Sequence, residues 1–294
     1  MEKAILKTLI YADIFDYPLK VWEIHKWLIG QKVNLYQVEK TLEKLRVKGK
    51  ALRVKDYYFL PRKANLVAKR KGREKQSAKY LRKAKVLTFI LKLIPWIKLV
   101  GISGGLAMDN AEKKDDIDLF LVTTKNRLWL SRILTIGILD FMGVRRKAKM
   151  KGFQVAGKLC LNILLEEDKL EQSNKDMYLA HEVLQMRPLW YRDGIYEKYL
   201  QDNQWVFKYV PNWIGSQYQV LSSKYYGKRK IHNTKYVIHN MLFDIFEKLA
   251  KKLQLWYMKP PQGMERIEDG ALYFHPKDIR PKILKLYRQK IGTP

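Results

Sequence analysis

Residues 98–124 read KLVGISGGLAMDNAEKKDDIDLFLVTT, and no other stretch limits the fold of this chain so strongly. A short apolar run turns through Ser103-Gly104-Gly105, passes a helical turn and a charged loop, and enters a second strand at Asp116. Side chains alternate along a strand, so Asp116 and Asp118 share one face while Ile117 and Leu119 take the other. The two carboxylates then stand about 7 Å apart along the backbone. Such a pair on an otherwise apolar strand is costly unless compensated. The spacing lets their oxygens converge on a hard divalent cation, and magnesium takes carboxylates together with phosphate oxygens. The glycine turn, having no side chains, lets backbone N–H groups approach phosphate. The competing reading is an acidic surface turn beside a glycine-rich loop.

Charge narrows the class of partner. Among 294 residues, Lys plus Arg number 58 against 29 Asp plus Glu, a formal charge of +29. That surplus favours nucleic acid, nucleotide phosphates or an anionic surface; a proteome that is basic throughout is the alternative. Apolar residues at 47% and charged residues at 30% describe a folded protein of two domains or one large one. Cys160 is the only cysteine, which excludes a disulfide framework and a Cys-rich zinc site. The five histidines, His25, His181, His232, His239 and His275, show no metal-ligand spacing. His181 reads as a structural residue on a helical run over 176–186. The start, MEKAILKTLIYADIF, lacks the order of a signal peptide, and the apolar stretches 86–100 and 128–144 are broken by Lys92, Pro95 and Lys98 and by Arg132 and Asp140. A cytoplasmic protein with no membrane span is expected.

The first 61 residues carry their own pattern. Ile5, Leu6, Leu9 and Ile10 give helical spacing over 3–13, a second helical stretch covers about 20–28, and a third covers 36–47 with Val38, Leu42 and Leu45 on one face and Asn34 as its cap. ALRVKDYYFLP then reads as a hairpin about Lys55 and Asp56. Three helices and a hairpin resemble a winged helix-turn-helix. In a DNA reader of that kind the third helix would offer Gln37, Lys40, Lys44 and Lys48; a protein-docking scaffold is the equal alternative. Residues 62–95 form a basic connector helix. Its segment 62–85 holds eleven Lys and Arg, among them Arg62, Lys63, Arg70, Lys71, Arg73 and Lys75, against the single acid Glu74. It is either a non-specific phosphate-binding run or a solvated linker. Further basic clusters lie at 145–151 and 228–230.

Ser103, Gly104 and Gly105, ten further residues and then Asp116-Ile117-Asp118 flanked by apolar residues resemble the signature of the DNA polymerase beta-type nucleotidyltransferases. Gly105 stands where that superfamily often has Ser. The resemblance implies an α+β fold: a small mixed-sheet core over 96–170, preceded by the winged helix and followed by a helical C-terminal region over 171–294. It implies transfer of a nucleoside monophosphate from a nucleoside triphosphate (NTP) to an acceptor hydroxyl. Asp116 and Asp118 would hold Mg2+ or Mn2+, and Ser103, Gly104, Gly105 and Arg127 would bind the nucleotide. Arg127 and Arg132 lie near the start of a helix over 127–142, where they could reach phosphate, but they read slightly better as snorkelling helix residues. RNA is the acceptor expected from the charge, with a small molecule or a protein hydroxyl as alternatives.

The superfamily's third carboxylate lies on a later strand. Here that strand, KLCLNILL over 158–165, has no acid. Either Glu166, with Glu167 and Asp168 beside it, swings back as the third catalytic acid, or Asn162 replaces it. The rival reading is therefore a nucleic-acid-binding regulator with a degenerate transferase core. Aromatics are dense after residue 190 (Trp190, Trp205, Trp213, Tyr225, Tyr226, Trp256), and helical packing explains most of them more simply than base stacking.

Overall fold

The structure is a computed structural model that describes the chain except residues 62–64, 148, 214–234, 259–265, 275–277 and 293–294, with the backbone alone for 235–240. His232, His275, Tyr225, Tyr226, Arg62, Lys63 and the basic cluster at 228–230 therefore lie outside the described residues, as does the side chain of His239.

The N-terminal module contains α1 (Glu2–Ile14), α2 (Val21–Lys26) and α3 (Leu35–Val47). Ile5, Leu9, Ile24, Leu28, Val38, Leu42 and Leu45 close on one another as its core. The start of α3 is fixed as its sequence suggests: Asn34 Oδ1 accepts from the Gln37 N–H at 2.9 Å while Gln37 Oε1 accepts from the Asn34 N–H at 3.1 Å. β2 (Leu52–Val54) and β3 (Tyr57–Phe59) form the hairpin, with Lys55 at φ 56° in its turn. A two-residue strand, β1 (Leu19–Lys20), pairs with β3 on the other side. On α3, Gln37, Lys40, Lys44 and Lys48 all face outward.

The connector is a single helix, α4 (Leu66–Leu91). It leads into a six-stranded sheet ordered β7-β4-β5-β6-β9-β8, built from β4 (Ile97–Ile102), β5 (Ile117–Thr123), β6 (Leu159–Glu166), β7 (Arg187–Tyr191), β8 (Arg266–Glu268) and β9 (Ala271–Tyr273). Only β5 and β6 run parallel, and α6 (Leu128–Phe141) crosses between them, as a parallel pair requires. The architecture is mixed α+β. The region after residue 170 is not purely helical: it supplies β7, β8 and β9, half of the described strands of this sheet. These runs of three to five residues are too short for periodicity to register.

Both faces of the sheet are covered. Ile97, Val100, Ile102, Leu119 and Leu121 pack under α4 and α6. Leu99, Phe120, Val122 and Leu165 pack under α7 (Met177–Gln185) and α8 (Ile195–Asp202). Asp118 alternates with Leu119 and so lies on the α7 face, beside Phe120.

The N-terminal module is fastened to this core through α4. Arg70 is buried, with Nη2 2.6 Å from Glu23 Oε1 and its guanidinium 4.0 Å above the Tyr17 ring. Tyr17 donates its hydroxyl to the Met108 carbonyl at 2.8 Å. Arg73 reaches the Phe15 carbonyl, Asn110 Oδ1 and Glu112. Two of the connector's arginines are thus structural clamps, and their charge is spent inside the protein. Lys71, Lys75, Lys79 and Arg82 remain exposed on its outer face. No described helix is long and apolar enough to cross a membrane.

Candidate metal centre and phosphate turn

β4 ends at Ile102, and the Ser103 N–H donates to the Asp118 carbonyl at 3.0 Å, which pins the turn to the entrance of β5. Gly104 follows at φ +64°, a conformation that L side chains rarely adopt. A Cβ placed on it would lie 2.9 Å from Asp118 Oδ2. Turn and carboxylate touch, and only glycine fits between them. Gly105 is exposed, and a Cβ there would meet nothing closer than the Asn110 carbonyl oxygen at 3.5 Å.

Asp116 and Asp118 point the same way, as the alternation requires. Together with Cys160 they bring ligand atoms within 4.8 Å of one another. Cys160 enters through register, since the parallel ladder sets Asp118 opposite Cys160. Arg146 supplies the local counter-charge: Nη1 lies 2.6 Å from Asp116 Oδ2 and 3.9 Å from Cys160 Sγ. Burial, then the neighbouring Asp116, push the Asp118 carboxyl up to about 8, against the pull of Arg146. Burial and both aspartates raise the Cys160 thiol well above its ordinary range, so it stays protonated. The donor set is therefore two hard oxygens and one neutral thiol. The carboxylates suit Mg2+ or Mn2+, and the thiol adds little to a hard ion.

The remaining predicted residues separate. Glu166 pairs with Thr123 at the far end of β6, six residues and about 20 Å from Cys160. Burial raises its carboxyl, against the pull of the Asn126 and Leu128 backbone N–H groups at the start of α6. Glu167 binds Lys98 at 2.6 Å and Asp168 binds Lys125 at 2.9 Å. No acid swings back, because all three are committed at the other end of the strand. Arg127 is also remote from the turn. It is buried after the C-terminal end of β5, with Nη1 2.5 Å from Asp244 Oδ1. Arg132 reaches Gln254. Both arginines hold the helix Lys235–Tyr257 against α6.

Asn162 does reach the site, by an irregularity that sequence alone does not signal. Leu119 pairs with Leu161 but Phe120 pairs with Ile163, so Asn162 is the extra residue of a β-bulge. The bulge turns Asn162 and Ile163 toward the same face, and both line the cavity beside Asp118. Asn162 Nδ2 lies 3.4 Å from Ser103 Oγ.

That cavity, of about 510 Å³, lies between the turn at 103–105, α7 and the N-terminal module. Asp118 borders it, whereas Asp116, Cys160 and Arg146 do not. Sequence reading missed Arg146 and Glu182. The first belonged to a noted basic cluster, and the second gave no signal until α7 was placed over Asp118. His181 is structural: buried, its Nδ1 2.9 Å from the Met177 carbonyl oxygen, its ring stacked on Tyr11 and Trp27.

No family model, no curated protein and no solved structure matches the chain. The reading of function therefore rests on the geometry of the site.

Proposed function

We propose that the chain is a metal-dependent nucleotidyltransferase of the polymerase beta type. The observation that carries this is the contact between Gly104 and Asp118: a glycine turn that can receive phosphate is packed directly on one of two convergent carboxylates. A phosphate cradle and a metal clamp set side by side suit a nucleoside triphosphate. Asp116 and Asp118 would hold Mg2+ or Mn2+, which would supply neutralisation of charge on the phosphates. The backbone of Ser103, Gly104 and Gly105 orients the phosphates, and Arg146 places a further positive charge beside them. In the reaction an acceptor hydroxyl oxygen bonds to the α-phosphorus, the bond to the β-phosphate oxygen breaks, and pyrophosphate leaves with the electron pair. The hydroxyl proton passes to a base.

RNA remains the acceptor suggested by net charge, and the outward lysines of α3 and α4 support it. A small-molecule acceptor is supported by the cavity of about 510 Å³ that Asp118 borders. The degenerate-core reading has one observation in its favour, namely that β6 presents Cys160 and Asn162 where a third carboxylate would stand.

Incubation with each labelled NTP and Mg2+ or Mn2+, in the presence of total RNA or a small-metabolite extract, tests the proposal. Transfer of label with release of pyrophosphate, lost in Asp116→Asn and Asp118→Asn, is the expected result. NTP binding without any transfer would favour the regulator.

A further inference from the structure

We propose that the cavity beside Asp118 is a binding site for a small organic cation, with the Glu182 carboxylate as counter-ion and aromatic side chains as walls. A cavity of about 510 Å³ lies within the range that encloses a small ligand. Glu182 projects into it from the middle of α7. Among the described residues nothing donates a hydrogen bond to its carboxyl or forms an ion pair with it.

Every other charge on the cavity wall has a partner or a role. Arg280 lies 3.5 Å from Asp176 and 4.0 Å from Asp278. Arg266 lies 3.5 Å from Glu268 and over the Tyr273 ring. Asp118 belongs to the metal clamp. The adjacent His181 cannot serve as counter-ion, because burial lowers it to about 4 and it is neutral. One half-buried carboxyl is left over in a protein whose formal charge is +29; desolvation lifts it to about 7, and above that it carries an unbalanced negative charge.

Tyr11, Trp27, Tyr178 and Tyr199 line the same space. Aromatic faces attract an ammonium or guanidinium group, more strongly where water is excluded. A carboxylate at the end of an aromatic pocket is complementary to a ligand with one cationic end and a carbon skeleton. A polyanionic strand does not match a cavity of this volume with an unpaired carboxyl in its wall. The binding claim stands apart from the transfer chemistry. If the proposed function holds, Asp118 is shared by clamp and cavity, and this ligand is the acceptor.

Matched probe pairs test the claim by calorimetric titration at about pH 8, above the range where Glu182 is held protonated. Choline is compared with dimethylbutanol, its uncharged carbon isostere, and tyramine with para-ethylphenol. At least one cationic member should bind about tenfold more tightly than its neutral partner, and Glu182→Gln should remove that preference. Mg-NTP should still stabilise Glu182→Gln, because Glu182 supplies none of the clamp's ligand atoms and its charge only raises Asp118. Loss of the NTP effect in the wild type would refute the transferase reading and leave the cation site standing. No cation preference in either pair, or a preference that survives Glu182→Gln, would overturn the inference.

Discussion

The guanidinium of Arg146 lies 2.6 Å from Asp116 Oδ2, on a carboxylate that the Asp-x-Asp pattern assigns to metal. The protein thus carries its own cation at the clamp, and a divalent ion has to share Asp116 with it or displace it.

Arg146→Ala should therefore lower the melting temperature without metal and increase the gain on adding millimolar Mg2+. The pair is partly exposed, so the loss should be on the order of 1 kcal/mol. Thermal melts of both proteins with and without Mg2+ check this. An identical metal response would mean that the guanidinium and the ion do not compete.

The two glycines of the turn should behave oppositely. Gly104→Ala meets both the positive φ and the Asp118 oxygen at 2.9 Å, and should cost about 1–3 kcal/mol. Gly105→Ser has ordinary space and should fold as the wild type does; if the turn receives phosphate as proposed, the added hydroxyl should tighten NTP binding. Chemical denaturation and NTP titration read the two effects separately.

Stability should depend on pH through Asp118 and Glu182. Burial lifts them to about 8 and about 7, while in the unfolded chain both ionise near pH 4. Between roughly pH 4 and pH 8 the folded protein retains protons that the unfolded chain has released, so these groups make folding less favourable as pH rises. Asp118→Asn should match the wild type near pH 4 and exceed it increasingly up to pH 8. Mg2+ should narrow the gap at the upper end. Melting curves across that window decide it, and a gap that widens toward acid would reverse the assignment.

On α4 the arginines and lysines should separate. Arg70→Met leaves Glu23 buried without its partner and should cost about 3–5 kcal/mol. Neutralising Lys71, Lys75, Lys79 and Arg82 should leave stability nearly unchanged. If these four contact phosphates, the log-log salt slope of RNA binding should flatten by about 3. Anisotropy titrations across salt measure it, and an unchanged slope would mean that the outer face only keeps the protein soluble.

Much of this was legible in the sequence because it depends on local rules. The Asn34 cap, the hairpin at Lys55 and the shared face of Asp116 and Asp118 follow from capping, turn and alternation preferences that act within a few residues. The third position of the clamp did not follow. It depends on the register of β6 against β5, and a bulge at Asn162 shifts that register by one. Glu166 and Arg127 were misplaced for a related reason: their nearness in sequence to the strands hid the fact that parallel strands carry their C-terminal ends away from the metal side. Glu182 was invisible because a helix residue acquires a cavity only through tertiary packing.

The cavity wall is assembled from two parts of the chain, with Tyr11 and Trp27 from the N-terminal module and Ser103, Asp118 and Glu182 from the core. A ligand held there touches both, so its binding free energy also tightens the docking of one part on the other. By reciprocity, whatever engages the outward face of α3 and strains or relieves that docking changes affinity in the cavity by the same factor. Binding at α3 and occupancy of the cavity would then be thermodynamically linked across the contacts that Arg70 and Tyr17 make.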